Sequence, residues 1–238
     1  MIRFILFVML FVLKIAQTNA QTDSIQSQSD TNMKVLTIVQ SDAQTNLALS
    51  NFDLHSSIFT GIWLPTGSAK LLGNHPLFGF QVGFYHKKMT YNLTADFKWM
   101  ASRNEYQVLR DANLETTKNF FGGYFGLDLS RELARFKKHQ IDILAGIGFD
   151  GFDALESTTG SSAAGGENGR SINSLNINTG LGYKYFFKNK AYIGLQGKYN
   201  FVNYKNTGGT DLSGNNITIS LLLGGFLNLK DNMSRQKQ

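Results

Sequence analysis

Seven charged residues occupy alternate positions in segments that otherwise alternate apolar and polar side chains: Asp96, Lys98, Asp128, Asp142, Asp150, Lys184 and Lys198. In an extended strand such positions share one face. Four acids and three bases enclosed together must pair, because an unpaired buried charge is very costly. The chemistry expected of them is a structural salt-bridge and amide network, with a gated or proton-conducting path as the alternative. Nucleophilic chemistry has a weaker basis. The chain has no cysteine and four histidines, His55, His75, His86 and His139. His75 alone falls on the side where a serine–histidine pair could meet an outer substrate. Ser68, Ser102 and Ser130 have no defined pairing with it, as a nucleophile would need. Asp150, Asp153 and Glu156 lack the spacing of a calcium loop. The segment Ser161 to Arg170 lacks the phosphate-loop pattern and precedes a strand. No catalytic residue, metal site or cofactor is expected, and no basic-aromatic surface suggests nucleic-acid binding.

The elements that must position the seven charges are strands with period-2 alternation. In 90–100, Tyr91, Leu93, Ala95, Phe97 and Trp99 oppose Thr90, Asn92, Thr94, Asp96 and Lys98. In 140–150, Ile141, Ile143, Ala145, Ile147 and Phe149 oppose Asp142, Leu144, Gly146, Gly148 and Asp150. The same alternation marks 78–87, 120–130, 175–185, 192–201 and 217–228. Residues 57–64 form a weaker first strand whose faces the pattern does not assign. Eight strands result, and two short runs, 35–39 and 46–52, would make ten. Most runs hold about ten residues, enough at a tilt near 45° to cross the apolar band of an outer-membrane barrel. Abundant glycine (24) and phenylalanine (19) with only two prolines suit long, closely paired strands. The fold class expected is all-β, a closed antiparallel up-and-down transmembrane barrel.

Connection lengths carry a second signal. Loops 65–76, 101–119, 151–170 and 203–214 are long; 87–89, 131–138 and 187–190 are short. Outer-membrane barrels have long outer loops and short periplasmic turns. The short turns are basic, with Lys87, Lys88, Arg131, Arg135, Lys137, Lys138, Lys188 and Lys190 against Glu132, whereas the long loops are near neutral. This excess predicts either contact with anionic headgroups or simple solvation. On the apolar face, Trp99, Phe121, Phe149 and Phe201 are expected near the outer boundary, and Tyr91, Tyr183 and Tyr185 near the inner one. Such aromatic girdles favour the headgroup layers.

The N-terminal end reads as an export signal: Arg3, an apolar run from Phe4 to Leu13, then Thr18-Asn19-Ala20, with the mature start at Gln21. Residues 21–56 form a polar periplasmic leader, 57–229 the barrel, and 230–238 a polar tail. The whole chain carries +6, and removal of Arg3 and Lys14 with the signal leaves +4. That charge is mild.

The stretch Gly61 to Phe84, with Leu93 to Trp99, Gly122 to Leu133, Gly151 to Leu155 and Tyr204 to Gly225, resembles a family of Gram-negative outer-membrane β-barrel proteins with no assigned activity, small barrels of the OmpA/OmpX-like kind. The resemblance covers about 57–229 and implies an outer-membrane location without catalytic residues to carry over. The expected partners are lipopolysaccharide and phospholipid, and a surface ligand reached through the four long loops; oligomeric state is not legible. The expected function is non-enzymatic, structural or adhesive. Two alternatives stand beside it. One is a lipid A-modifying outer-membrane enzyme centred on His75. The other is a soluble, exported, lipocalin-like barrel with its faces swapped and an apolar ligand inside.

Overall fold

The computed structural model describes residues 52–110, 112–155, 170–187 and 190–228. The proposed signal, most of the leader, the run 35–39, all of 46–52 but Phe52, residues 156–169 with Glu156, Lys188, and the C-terminal tail lie outside the described residues. Eight strands follow one another: β1 (Asp53–Pro65), β2 (His75–His86), β3 (Met89–Arg110), β4 (Asn113–Phe136), β5 (His139–Ala154), β6 (Arg170–Phe186), β7 (Ala191–Phe201) and β8 (Asn216–Asn228). Each pairs antiparallel with its neighbour, and β1 pairs with β8, from Asp53 opposite Asn228 to Pro65 opposite Asn216. The barrel is closed, so every ladder group has a partner and no edge remains. Closure by eight strands leaves no gap for a ninth and tenth.

Period-2 alternation selects the faces. Along β5, Ile141, Ile143, Ile147 and Phe149 are exposed while Asp142, Leu144 and Asp150 are buried. The same division runs around the barrel, from Ile58 and Ile62 on β1 to Ile217, Ile219, Leu221 and Leu223 on β8. Phe149 is 68% exposed and Leu181 61%. A continuous apolar belt of this extent is far larger than the patches soluble monomers expose; its natural solvent is hydrocarbon. Ile141 to Phe149 spans about 26 Å of strand, or about 20 Å of depth at the usual tilt. The swapped-face, lipocalin-like alternative is therefore overturned: the large aliphatic side chains point out, and Asp142, Lys184 and Asn178 point in.

Three expected boundaries need correction. First, β1 begins at Asp53, inside the segment expected to be leader. Its opening alternation is Asp53, His55 and Ser57 inward against Leu54 and Ser56, which carries almost no apolar contrast. Second, 101–119 is not a loop. β3 and β4 continue pairing to Arg110 opposite Asn113, so β4 alone holds 24 residues, about 75 Å of path. A bulge marks where this hairpin leaves the belt: Ala101 faces Asn119 but the next pair is Tyr106 with Thr117, so β3 carries extra residues there and bends. Ser102 Oγ donates to the Asn104 and Lys118 carbonyls at 2.6 and 2.9 Å, filling the gap. Third, 131–138 is mostly strand. β4 reaches Phe136, a one-residue bulge at Leu133 reverses its facing, and the turn is Lys137-Lys138 alone.

The connections 65–76 and 203–214 are folded rather than open. Between β1 and β2 lies a short 3-10 helix (Gly67–Leu72) whose Ala69 and Leu72 are buried. Between β7 and β8, Tyr204 bridges Leu212. That segment docks on the β3 extension: Gln107 N–H donates to Thr210 Oγ1 at 2.8 Å, and Asn206 Nδ2 donates to the Gln107 carbonyl at 2.8 Å.

Candidate functional site: the lumen and its two closures

All seven charged residues singled out from the sequence are buried within the barrel. The strands bring them together as three groups. Toward the outer end, Lys98 Nζ lies 2.8 Å from Asp150 and 3.3 Å from Asp96. At mid-depth, Lys198 pairs with Asp128. Asn178 Nδ2 and the Tyr124 hydroxyl both donate to Asp128 Oδ1, at 3.2 and 3.1 Å. Toward the inner end, Lys184 lies 2.7 Å from Asp142, whose other oxygen accepts from Gln140 Nε2 at 2.6 Å. Each base has an acid partner, and Asp96 and Asp150 share one lysine. Charges paired in this way can be held in a polar lumen at a cost the separate charges could not meet.

Glycines make room for it. A Cβ on Gly146 would overlap the Asp128 carboxylate and the Asn178 amide, and one on Gly126 would overlap the Tyr124 ring. The lumen is consequently filled, as expected for eight strands. Two internal voids, one beside His55, Asp128 and Lys184 and one beside Asp96, Tyr124 and Lys198, each measure about 20 Å³. That is room for a single water molecule or so.

Two features escaped the sequence reading. The first is an amide ladder. Asn176 Nδ2 donates to Asp150 (3.3 Å) and to Asn200 Oδ1 (3.2 Å); Asn200 Nδ2 donates to Asn216 Oδ1 (2.8 Å); Asn216 Nδ2 donates to the Tyr204 hydroxyl (3.3 Å). It laces β5, β6, β7, β8 and the outer loop. The signal was present as asparagines at inward-facing positions of consecutive strands, but which of them meet depends on register. The second is His55, placed by sequence in the leader. It is fully enclosed, with Nδ1 2.7 Å from Asn92 Oδ1 and Nε2 2.7 Å from the Tyr192 hydroxyl. Asn92 Oδ1 only accepts, so Nδ1 carries the proton and Nε2 accepts from Tyr192. Phe226 and Tyr192 pack against it, and Phe186 packs on both of those rings. The Lys184 ammonium lies 5.4 and 5.7 Å from the Tyr192 and Phe226 ring centres, within cation–π range. Arg135 caps this end, 2.7 Å from Glu132 and over the Phe186 ring.

The outer end is closed differently. Trp63, Leu72, Leu77, Phe120, Phe152, Ile172 and Leu212 form an apolar plug, with Tyr106 and Val108 of the β3 extension packed into it. His75 belongs to this plug. It is 3% exposed, its Nε2 donates to the Leu72 carbonyl at 2.7 Å, and its ring sits edge-on to Phe120 at 4.9 Å. The serines weighed as its partners lie elsewhere: Ser68 Oγ donates to Asp211 at 2.7 Å, Ser102 fills the bulge, and Ser130 is buried in the lumen. Asp150 and Asp153 point to opposite sides of β5, and Asp153 accepts from Ser171. Among the described residues no group of three acids or histidines is placed to hold a metal ion.

The seven aromatics expected at the boundaries all face outward. Trp99 pairs with Phe121 across β3 and β4, while Phe149 pairs with Phe125 on β4 and Phe201 with Ile177 on β6. Tyr91 stacks on Phe84 at 4.9 Å at the opposite end, where Tyr183 and Tyr185 pack on His139.

No protein-family model matches the chain, and no curated protein matches it by sequence. Solved structures do match. Neisserial surface protein A is similar over 74% of this chain and 97% of its own, with a TM-score of 0.51 and 10% identity. The N-terminal barrel domain of Pseudomonas aeruginosa OprF (TM-score 0.40, 12% identity) covers 73% of this chain and 97% of that one; Ail of Yersinia pestis (0.37, 12%) covers 75% and 99%. Identity this low speaks to the fold alone, and the likeness to Neisserial surface protein A is one of fold, a small closed antiparallel β-barrel.

Proposed function

We propose that this chain is a non-enzymatic outer-membrane barrel that serves as a rigid platform for binding at the cell surface. One observation carries the reading. The lumen is filled and plugged, while the β3–β4 extension and the 202–215 segment are knitted into a single raised structure through Gln107, Asn206 and Thr210. A transport route would need an open bore, and an enzyme a reactive group within reach of substrate; His75 lies in a sealed aromatic box. A platform needs only a fixed outer surface. The exposed residues of the raised hairpin, among them Glu105, Leu114 and Lys118, would contact surface polymers, other cells or host molecules.

The test replaces the exposed Glu105, Leu114 and Lys118 with serine, leaving Tyr106 and Val108 in the plug, and scores adhesion of cells displaying the protein. Loss of adhesion with unchanged barrel yield is expected. Adhesion equal to that of the intact protein on every surface tried, while His75→Ala alters the lipid A profile, would replace this reading with the enzymatic one.

A further inference from the structure

Hairpin turns whose central residues need positive φ are normally built from Asn-Gly or Asp-Gly. Here the described non-glycine residues with positive φ are Lys87 (46°), Lys88 (68°), Ala112 (66°), Lys137 (53°) and Lys190 (62°). Four of the five are lysines, and all four lie at the end of the barrel opposite the raised hairpin. Lysine has no conformational claim on the left-handed region. Its repeated use there means that charge at these turns is kept against backbone preference.

The surroundings narrow what the charge meets. Two cations of this end are already matched: Lys190 with Asp53 at 3.3 Å, and Arg135 with Glu132. Lys87, Lys88, Arg131, Lys137 and Lys138 are exposed, and among the described residues none forms an ion pair. They lie along one sector, because Glu132 N–H donates to the Lys88 carbonyl at 2.9 Å and so sets the β2–β3 turn beside Arg131. Arg131 lies on the greasy face, two residues after Leu129 and across from Met89 and Ile143. Leu133 (57% exposed) and Phe136 (63%) accompany it on the way to the Lys137-Lys138 turn. Free anions in water would use the lysines but have no use for exposed Leu133 and Phe136. A headgroup layer uses both: acyl carbons for the apolar side chains, phosphodiester oxygens for the cations.

We propose that the β2–β3 and β4–β5 turns, with Arg131, form a binding surface for anionic phospholipid headgroups in the leaflet on the side where β1 begins and β8 ends. The proposal rests on the membrane-spanning reading of the belt. It predicts a lipid annulus that is selective on one sector of one rim.

The experiment refolds the full chain into phosphatidylcholine vesicles carrying trace spin-labelled phosphatidylglycerol or spin-labelled phosphatidylcholine. The fraction of motionally restricted label is then compared. The intact protein should restrict the anionic lipid about threefold more than the neutral one, with the ratio approaching one in molar salt. The triple variant Lys87→Gly, Lys88→Gly, Lys137→Gly keeps the left-handed backbone and removes the charge. It should lose most of the preference while its urea midpoint stays level or rises, a pair of results that misfolding would not produce. Equal restriction of both lipids by the intact protein, or full preference in the glycine variant, overturns the proposal. So would tight capture of soluble inositol hexaphosphate without any lipid preference, which would indicate a polyanionic glycan instead. Absence of restricted lipid of either kind would show that the barrel is not in the bilayer, and the membrane reading would fall with it.

Discussion

The two ends of the lumen are sealed by opposite chemistry. At the outer end Trp63, Phe120, Phe152, Ile172 and Leu212 pack as an ordinary protein core, and the loops that cover them are tied down by hydrogen bonds. At the inner end the closure is aromatic and charged together: His55, Tyr192 and Phe226 lie beneath Lys184, with Arg135 over Phe186. The first kind of seal depends on volume, the second on partners. Removing atoms should therefore hurt most at the outer end, and removing donors or acceptors in the polar interior.

The largest effect expected is from Trp63→Ala, which empties the centre of the outer plug. It should lower unfolding stability by about 4 kcal/mol, read from urea titration in vesicles. A loss well under 1 kcal/mol would mean that the plug is not close-packed. Next comes Lys198→Met at mid-depth, which leaves Asp128 buried without its cation, for a loss of about 3 kcal/mol. Adding Asp128→Asn should restore most of it; two losses that simply add would show that the pair does not act as one unit. At the inner end, Tyr192→Phe keeps the ring and deletes the hydroxyl that His55 Nε2 accepts from. Leaving that nitrogen unsatisfied should cost about 1–2 kcal/mol. The same substitution should shift the His55 imidazole resonances in NMR spectra; unchanged resonances would dismiss the hydrogen bond.

The smallest effect concerns the surface latch over the outer plug. Asp211 accepts from the Ser68 and Ser213 hydroxyls and the Ser213 amide. The Ser68 hydroxyl first, then Ser213, holds its carboxyl below the usual carboxylate range. A carboxyl lowered in the folded state contributes fully above its unfolded pKa, and the contribution fades as pH falls through the lower folded value. The latch should thus resist protease at neutral pH and loosen only in acid below the ordinary carboxylate range. In Asp211→Asn the cleavage rate should lose this acid dependence, and a wild-type rate flat across the same interval would remove the latch from the account.

Much of the architecture was legible because alternation is a local property. Ile141, Ile143, Ile147 and Phe149 announce a greasy face whatever the rest of the chain does, and the opposed Asp142 and Asp150 announce a polar one. The charge set was legible for the same reason, since any inward lysine of a narrow barrel requires an acid. The ends of the strands were less legible. The segment 101–119 has many polar residues and no clean alternation, because outside the membrane both faces of a hairpin can be wet. Asp53 and His55 looked like leader for a related reason: their strand enters the barrel with polar side chains inward and little apolar contrast outward.

The sequence by itself determined that there are long amphipathic strands, which face of nearly every one is apolar, and that acids and bases share the other. These follow from side-chain period and from the cost of burying charge, neither of which needs a partner strand to be specified. The tertiary structure decided who meets whom: Lys98 with both Asp96 and Asp150, Asn176 with Asn200, His55 with Asn92 and Tyr192, His75 with the plug. Those pairings depend on register and on the closing of β1 onto β8, which bring together residues as far apart as 55 and 192; no local pattern in the chain encodes that stagger.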